Sequence, residues 1–152
     1  MTPVTYEIVI AAPAEVVYRL LTTVEGLKRW IAADALVEPW PGGHLRWTHE
    51  NGATMSGRFI ELDPPRRLVF TYGWEGNLMG LSPGASTVEI ELDEVGGSTT
   101  LRLSHRGIPP ESSEDHRRGW IHFLGRLRAA APGDAAAGGG VSSGRMPRRP
   151  PG

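Results

Sequence analysis

Hydrophobic and polar residues alternate with a period of two along much of residues 4–106, which is the pattern of half-buried β-strands. The first strand carries Val4, Tyr6, Ile8 and Ile10 on one face. Six further alternating stretches, bounded by turns that contain Gly or Pro, cover residues 34–38, 44–49, 54–62, 67–74, 86–94 and 98–106. Because the connections between these stretches are short, we expect neighbouring strands to pair antiparallel as a meander.

Helical spacing of apolar residues interrupts this alternation at three places. Pro13 opens a helical pattern that ends near Thr22, and a short second helix follows over residues 24–32. The third helix begins after two prolines, and its apolar stripe comprises His116, Trp120, Phe123, Leu124 and Leu127. The order of one strand, two short helices, six strands and a long helix predicts an α+β domain whose single sheet packs against that last helix.

The composition changes abruptly at Pro132, where a segment rich in Gly, Pro and Ala begins. Such a segment buries too little apolar surface to offset the entropy of ordering it. We therefore predict one domain over residues 1–131 and a disordered tail over residues 132–152. The arginines of the tail either contact an anionic partner or are simply solvated.

The composition argues against several classes of function. A formal net charge of −1 provides no overall attraction to phosphate backbones, so nucleic acid is not an expected partner. The chain has no cysteine, which rules out disulfides and thiolate metal sites. No apolar run approaches the roughly 20 residues of a membrane span, and the N-terminus does not read as a signal peptide. We therefore expect a cytoplasmic protein with no membrane partner.

Four colinear segments of the sequence are similar to one protein family. They are EIVIAAPAEVVYRLLTTVEGLKRWIA, MSGRFIELDPPRRLVFTYGW, STVEIELDEVGGSTTLRLSHRGIPP and HRRGWIHFL. Together they resemble the START-like (SRPBCC) helix-grip superfamily, and within it the activator of heat-shock-protein ATPase homologue family in its single-domain bacterial form. The resemblance implies a helix-grip fold over residues 4–130. In that fold a seven-stranded curved antiparallel sheet, in the order β-α-α-β6-α, wraps around the C-terminal helix and leaves a cavity. The same scaffold serves carriers, cyclases, resistance proteins and co-chaperones, so no single reaction is implied.

The apolar faces of the strands and of the last helix form either a fully packed core or the wall of a ligand-binding cavity. The family resemblance favours the cavity. Trp74 and Trp120 are the most informative residues, because a buried indole needs a partner for its N–H and offers a flat face to an aromatic ligand. The predicted cavity residues are Tyr72, Trp74, Leu103, His105, His116, Trp120, Phe123 and Leu124, with Trp47 as a further candidate.

Two features that involve glycine adjoin the predicted cavity. The loop over residues 75–86 is rich in Gly and carries Leu78, Met79 and Leu81, so it is either a lid or a tolerated insertion. Gly119 flanks the apolar stripe of the last helix, at a cost of roughly 1 kcal/mol relative to Ala. Its missing side chain either lets another backbone approach or leaves room beside Trp120.

His105 and His116 are the titratable residues that the pattern places on inward-facing positions, and both are candidate catalytic residues. Two histidines in one chamber could supply a general base near neutral pH. Alternatively both lie at a solvated rim, because His105 ends its strand and His116 begins its helix. A third ligand is not evident on the same face, so we expect neither a metal nor another cofactor.

Three functions are compatible with these residues. We favour a protein that binds an apolar or aromatic small molecule between sheet and helix, which requires a cavity of roughly a few hundred Å³. The second is a cyclase- or hydrolase-like enzyme that uses the same cavity, with His105 or His116 as the base. The third is a co-chaperone with a heat-shock-protein ATPase as partner. Eukaryotic members with that activity resemble a longer protein with an additional N-terminal domain, which this chain lacks, so we expect no ATPase stimulation.

Overall fold

The computed structural model describes residues 2–139, in which one sheet is wrapped around one long helix. The strands are β1 (Val4–Ile10), β2 (Asp34–Val37), β3 (His44–Thr48), β4 (Thr54–Asp63), β5 (Arg67–Tyr72), β6 (Ser86–Val95) and β7 (Ser98–Arg106). The helices are α1 (Ala14–Thr22), α2 (Val24–Leu27) and α3 (Pro110–Gly139), and a short 3₁₀ segment spans Glu75–Gly80. Every strand and helix predicted from the hydrophobic pattern is present.

The seven strands form a single antiparallel sheet in the order β1-β7-β6-β5-β4-β3-β2. Consecutive strands from β2 to β7 are neighbours, and β1 closes onto β7 with Val4 opposite His105 and Ile8 opposite Leu101. A register shift between Phe59 and Glu61 interrupts the β4–β5 ladder. This architecture confirms the predicted α+β helix-grip fold with its seven-stranded sheet and long C-terminal helix.

Alternation along each strand sorts apolar side chains to the face that α3 covers. In β6, for example, Val88, Ile90 and Leu92 are buried while the intervening glutamates face outward. The opposing stripe of α3 buries Trp120, Leu124, Leu127 and Ala131. The core therefore lies between the inner face of the sheet, one side of α3 and the buried face of α1.

The end of β5 differs from the prediction, because the strand stops at Tyr72 and not at Trp74. At Gly73 the returning chain crosses so closely that an added Cβ would overlap the carbonyl oxygen of Ser82. Trp74 is then held by a hydrogen bond from its backbone N–H to the carbonyl of Leu81, at 2.8 Å. The absence of a side chain at residue 73 thus sets where the Trp74 indole enters the core.

Two helices also differ in extent from the prediction. α2 ends at Leu27, and residues 28–31 continue as turns. Within these turns the Trp30 indole N–H donates to the carbonyl of Leu20 at 2.9 Å. α3 continues through Pro132 to Gly139, so the first residues of the predicted disordered tail are helical, consistent with the high helix propensity of their alanines. Residues 140–152 lie outside the described residues, and disorder there stays a prediction.

Within residues 2–139 no helix is long and apolar enough to cross a bilayer.

The N-terminus of α1 is fixed by a residue from the sheet. Its N-cap residue, Pro13, has no side chain that accepts a hydrogen bond, so the first amides need another acceptor. The Glu94 carboxylate of β6 accepts a hydrogen bond from the backbone N–H of Ala14 at 2.8 Å, and the Thr99 hydroxyl donates to the carbonyl of Ala12 at 2.7 Å. These contacts attach α1 to the β6–β7 hairpin.

We expect Glu94→Ala to lower the free energy of unfolding by about 1 kcal/mol, because it removes both a capping acceptor and a negative charge at a helix N-terminus. Urea denaturation followed by far-UV circular dichroism measures the change. Asp93→Ala is the matched control, since this neighbouring carboxylate is also exposed but makes no capping bond to the helix. Equal losses in the two variants would contradict the capping role.

Candidate functional site

A pocket of about 210 Å³ lies where α3 passes over the ends of β3 and β5. Four parts of the chain contribute: the segment after α2, the β3–β4 connection, the end of β5 with the 3₁₀ segment, and the N-terminal half of α3. The lining residues are Ile31, His49, Asn51, Ala53, Tyr72, Trp74, Met79, Asp115, His116, Gly119, Trp120 and Phe123. We call this space the aromatic pocket.

Five of the eight predicted cavity residues line the aromatic pocket. They are Tyr72, Trp74, His116, Trp120 and Phe123, and the structure brings them together from β5 and α3. Contact with a ligand stays a prediction for all five.

The other predicted cavity residues, Leu103, His105 and Leu124, lie in the packed core and not in the pocket wall. The physical reason is the position of the helix. β7, which carries Leu103 and His105, lies between β1 and β6, and α3 packs against β1 on that side of the sheet. The pocket opens on the other half, towards β5 and β3. Trp47, the further candidate, is also a core residue, with 2% of its surface exposed.

His49 and Met79 are pocket residues that the predicted cavity did not include. The alternation of Leu45, Trp47 and His49 continues the inward face of β3 by one step, so the period-two pattern contained the signal for His49. Met79 and Asn51 lie on connections, where no periodicity indicates direction. They enter the site only because the fold brings these loops beside α3.

Trp74 and His116 form the first of three indole–imidazole pairs. The Trp74 indole N–H donates to Nε2 of His116 at 3.0 Å, and both side chains are buried. The Nδ1–H of His116 donates to the carbonyl of Ser112, one helical turn earlier, at 2.8 Å. These partners assign a neutral imidazole with its proton on Nδ1. Burial lowers the pKa of His116, and the bond to Ser112 opposes that shift only in part.

Trp120 and His105 form the second pair, with the opposite tautomer. The Trp120 indole N–H donates to Nδ1 of His105 at 3.0 Å. Nε2–H of His105 then donates to Oγ of Ser86 at 2.8 Å, and the Ser86 hydroxyl donates to the carbonyl of Tyr72 at 2.7 Å. Every polar atom in this series of hydrogen bonds has a partner inside the core. Burial is the main cause that lowers the pKa of His105 to about 3, and the nearby His116 contributes the remainder.

Trp47 and His49 form the third pair at the edge of the aromatic pocket. The Trp47 indole N–H donates to Nε2 of His49 at 3.1 Å, and burial lowers the pKa of His49. The imidazole also lies against two pocket rings, with centroids 5.5 Å from Trp74 and 5.0 Å from Phe123. A neutral histidine therefore satisfies each of three buried indoles on this side of the core.

The Tyr72 hydroxyl is a polar group of the pocket wall that the protein leaves unpaired. Its ring is enclosed by aromatic neighbours, with centroids 4.4 Å from His105, 5.6 Å from Trp74 and 5.8 Å from Trp120. Burial raises the pKa of Tyr72, so the phenol stays protonated. In the part of the chain that the structure describes, no residue hydrogen-bonds this hydroxyl. A ligand carbonyl or hydroxyl is a suitable partner for it.

Gly119 leaves open space in the wall formed by α3. A Cβ built at this position meets no heavy atom within 4 Å, although the residue lies in the middle of a helix. Of the two explanations raised by the sequence, the structure therefore supports room beside Trp120 and not close approach of another backbone. The extra volume belongs to the aromatic pocket.

The 3₁₀ segment contributes Met79 to the pocket from the solvent side. Asn77 and Met79 have φ angles of 57° and 55°, a left-handed conformation that costs about 1 kcal/mol for residues other than glycine. An ion pair between Arg46 and Glu75, with Nε and Oε2 2.7 Å apart, attaches the start of the segment to β3. Met79 is 41% exposed, so its side chain forms an outer wall that solvent also contacts. Its role as a lid stays a prediction.

The sequence and fold place the chain among known proteins. Residues 11–131 match the family model described as activator of Hsp90 ATPase homolog 1-like protein. The human activator of 90 kDa heat shock protein ATPase homolog 1 is 30% identical over 121 residues, which are 77% of this chain and 32% of the human protein. The chain thus spans about a third of the length of the curated relatives that it matches.

Solved structures with the same fold include two bacterial proteins of similar size. The Aha1 dimer from Colwellia psychrerythraea has a TM-score of 0.74 at 24% identity, covering 86% of this chain and 96% of that one. CalU16 from Micromonospora echinospora has a TM-score of 0.69 at 27% identity, covering 86% of this chain and 74% of that one. Both structures therefore share the fold of this domain.

We expect the free energy of unfolding to fall as the pH is lowered from 6.5 towards 5. The unfolded state then binds a proton at His105 that the native state, with its lowered pKa, does not bind. The contribution of neutral His105 to the free energy of unfolding is therefore fully present above pH 6.5. It is lost on acidification, at up to about 1.4 kcal/mol per pH unit. Urea denaturation at several pH values between 7 and 5 measures the slope.

His105→Asn should reduce that slope, because it removes one of the three imidazoles with lowered pKa values while keeping an acceptor for the Trp120 N–H. His122→Asn is the control, because it makes the same substitution at an exposed position. A wild-type stability that does not change over this pH range would show that His105 is not held neutral.

Proposed function

The chain belongs to the family of activator of Hsp90 ATPase homolog 1-like proteins, and from that premise we propose that it binds a small aromatic molecule in the aromatic pocket. The observation that carries the proposal is the composition of the wall. Trp74 and Trp120 line the pocket, and their N–H groups are already bonded to histidines. The pocket therefore offers flat apolar surfaces with few unsatisfied donors, which suits an aromatic ligand.

The size of the pocket limits the ligand. Its volume of about 210 Å³ is below the roughly 300–1,000 Å³ of drug-sized sites, whereas an apolar cavity of about 150 Å³ accommodates benzene. A molecule of one or two fused rings fits this range. Large polyketides and long acyl chains do not fit unless Met79 and the exposed 3₁₀ segment move aside.

One polar contact orients such a molecule. The Tyr72 hydroxyl is unpaired among the described residues, so it can donate to or accept from a substituent on the ring. The other acidic group of the wall, Asp115, is already paired with Arg118, with Oδ1 and Nη2 2.6 Å apart. Recognition therefore combines stacking on Trp74 and Trp120 with one hydrogen bond.

The geometry argues against the cyclase- or hydrolase-like alternative with His105 or His116 as the base. A general base needs a free lone pair within reach of the substrate proton. The acceptor nitrogen of each histidine is occupied by an indole N–H, and His105 is fully buried outside the pocket. Both imidazoles also have lowered pKa values, which makes them weak bases.

The co-chaperone function remains a second candidate. Its support is the 30% identity to the human activator of 90 kDa heat shock protein ATPase homolog 1, of which this chain covers 32%. The measurement is the steady-state ATP hydrolysis rate of purified Hsp90 at increasing concentrations of this chain. We expect no stimulation, and a saturable increase would place the co-chaperone function first.

Gly119→Leu should abolish ligand binding without lowering stability. The new side chain enters the open space of the pocket, while replacing glycine in a helix gains up to about 1 kcal/mol. We expect the Kd for 2-naphthol, measured by quenching of tryptophan fluorescence, to rise at least about tenfold while Tm stays equal or increases.

Gly125→Leu is the matched control for this test. Gly125 lies on the same helix with open space around its Cβ position, but it does not line the pocket. This variant should keep the wild-type Kd. Equal affinities for 2-naphthol in the two variants, or no binding by the wild-type protein, would contradict the proposed site.

A further inference from the structure

A second pocket adjoins the aromatic pocket and differs from it in polarity. Its volume is about 240 Å³, and it shares four lining residues with the aromatic pocket: Ile31, His49, Asn51 and Phe123. Its remaining wall consists of Lys28, Ala32, Glu50, His122 and Arg126. We call it the basic pocket, because its two cations outnumber its one carboxylate.

Lys28 and Arg126 are cations without a carboxylate partner among the described residues. Lys28 follows the end of α2, and Arg126 lies on α3 one turn beyond His122, so two separate elements bring the charges to one pocket. Most other arginines of the domain form ion pairs, for example Arg67 with Glu91 and Arg106 with Glu89. The basic pocket therefore has positive charge that the protein itself does not neutralise.

Arg126 is held at the boundary between the two pockets. Its guanidinium carbon lies 5.9 Å from the centroid of the Phe123 ring, within the roughly 6 Å range of a cation–π contact. The same ring contacts His49 at 5.0 Å and His122 at 4.8 Å, measured between centroids. Because Arg126 is already positioned, less conformational entropy is lost when an anion binds there.

Charge along α3 gives the site a direction. Asp115 lies at one end of the aromatic pocket and Arg126 lines the basic pocket, eleven residues later along the helix. At about 1.5 Å per residue this separates them by roughly 16 Å along the axis. The cations at the Arg126 end attract an anionic group, whereas Asp115 at the other end is already paired with Arg118. The half-buried Phe123 ring lines both pockets and marks the boundary between them.

Resting on the proposed function, we infer that the ligand is an aromatic carboxylate. Its rings stack in the aromatic pocket against Trp74 and Trp120. Its carboxylate extends past Phe123 into the basic pocket, where Lys28 and Arg126 donate to it. The inference specifies the charge and the orientation of the ligand, which the aromatic pocket alone does not determine.

The test compares 2-naphthoate with 2-naphthamide, a neutral analogue of the same shape, by isothermal titration calorimetry on the full chain. We expect the wild-type protein to bind the carboxylate about tenfold more tightly, and this preference to shrink as the salt concentration rises. The double variant Lys28→Gln/Arg126→Gln should lose the preference by weakening 2-naphthoate only. Arg128→Gln, an exposed arginine of α3 outside both pockets, should retain it.

Each other outcome overturns a specific claim. Equal affinity of the wild-type protein for the two compounds, or a preference that persists in the double variant, overturns the carboxylate inference. The proposed function survives that result, because 2-naphthamide still binds. If neither compound binds to a protein whose circular dichroism shows it to be folded, both the inference and the proposed function fail.

Discussion

The core of this protein depends on the pairing of buried indole N–H groups with neutral imidazoles. Burying an indole N–H without a hydrogen-bond partner costs about 1–3 kcal/mol. Three buried indoles lie on one side of the sheet, and each needs a partner. His49, His105 and His116 satisfy all three from inside the domain. The last two pairs also connect α3 to the sheet, because each joins a residue of α3 to one on a strand or directly after it. These two hydrogen bonds are direct polar contacts between the helix and the sheet inside the core.

This arrangement explains why the histidines are neutral and why the adjoining wall is apolar. His105 and His116 each accept from a tryptophan with one ring nitrogen and donate elsewhere with the N–H of the other, so protonation would break a buried hydrogen bond. The two fully paired imidazoles use opposite tautomers, with the proton on Nδ1 in His116 and on Nε2 in His105. What remains facing the aromatic pocket is chiefly ring surface. A scaffold made in this way is suited to hold aromatic molecules, and it is poorly suited to acid–base chemistry.

The position of α3 divides the domain into two halves with different roles. Over β1 the helix packs directly, and residues such as Leu124 and Leu127 are completely buried. Over β3 and β5 the space beside Gly119 remains open. Family membership accounts for this common architecture, whereas the ligand depends on side chains that the shared fold does not specify. For the ligand that we propose, those side chains are the two tryptophans, Tyr72 and the cations of the basic pocket.

The sequence by itself determined the order of elements, the inward face of each strand and the apolar stripe of α3. These follow from periods of 2 and 3.6, which depend only on local backbone geometry. The pattern could not show which half of the sheet α3 covers closely. It therefore grouped Leu103, His105 and Leu124 with the pocket and left out Met79. Only the tertiary structure decided that Trp120 meets His105 and Trp74 meets His116, 15 and 42 residues apart in the chain. The physical reason is that such pairings depend on how strands and helix are stacked in space, which no local period records.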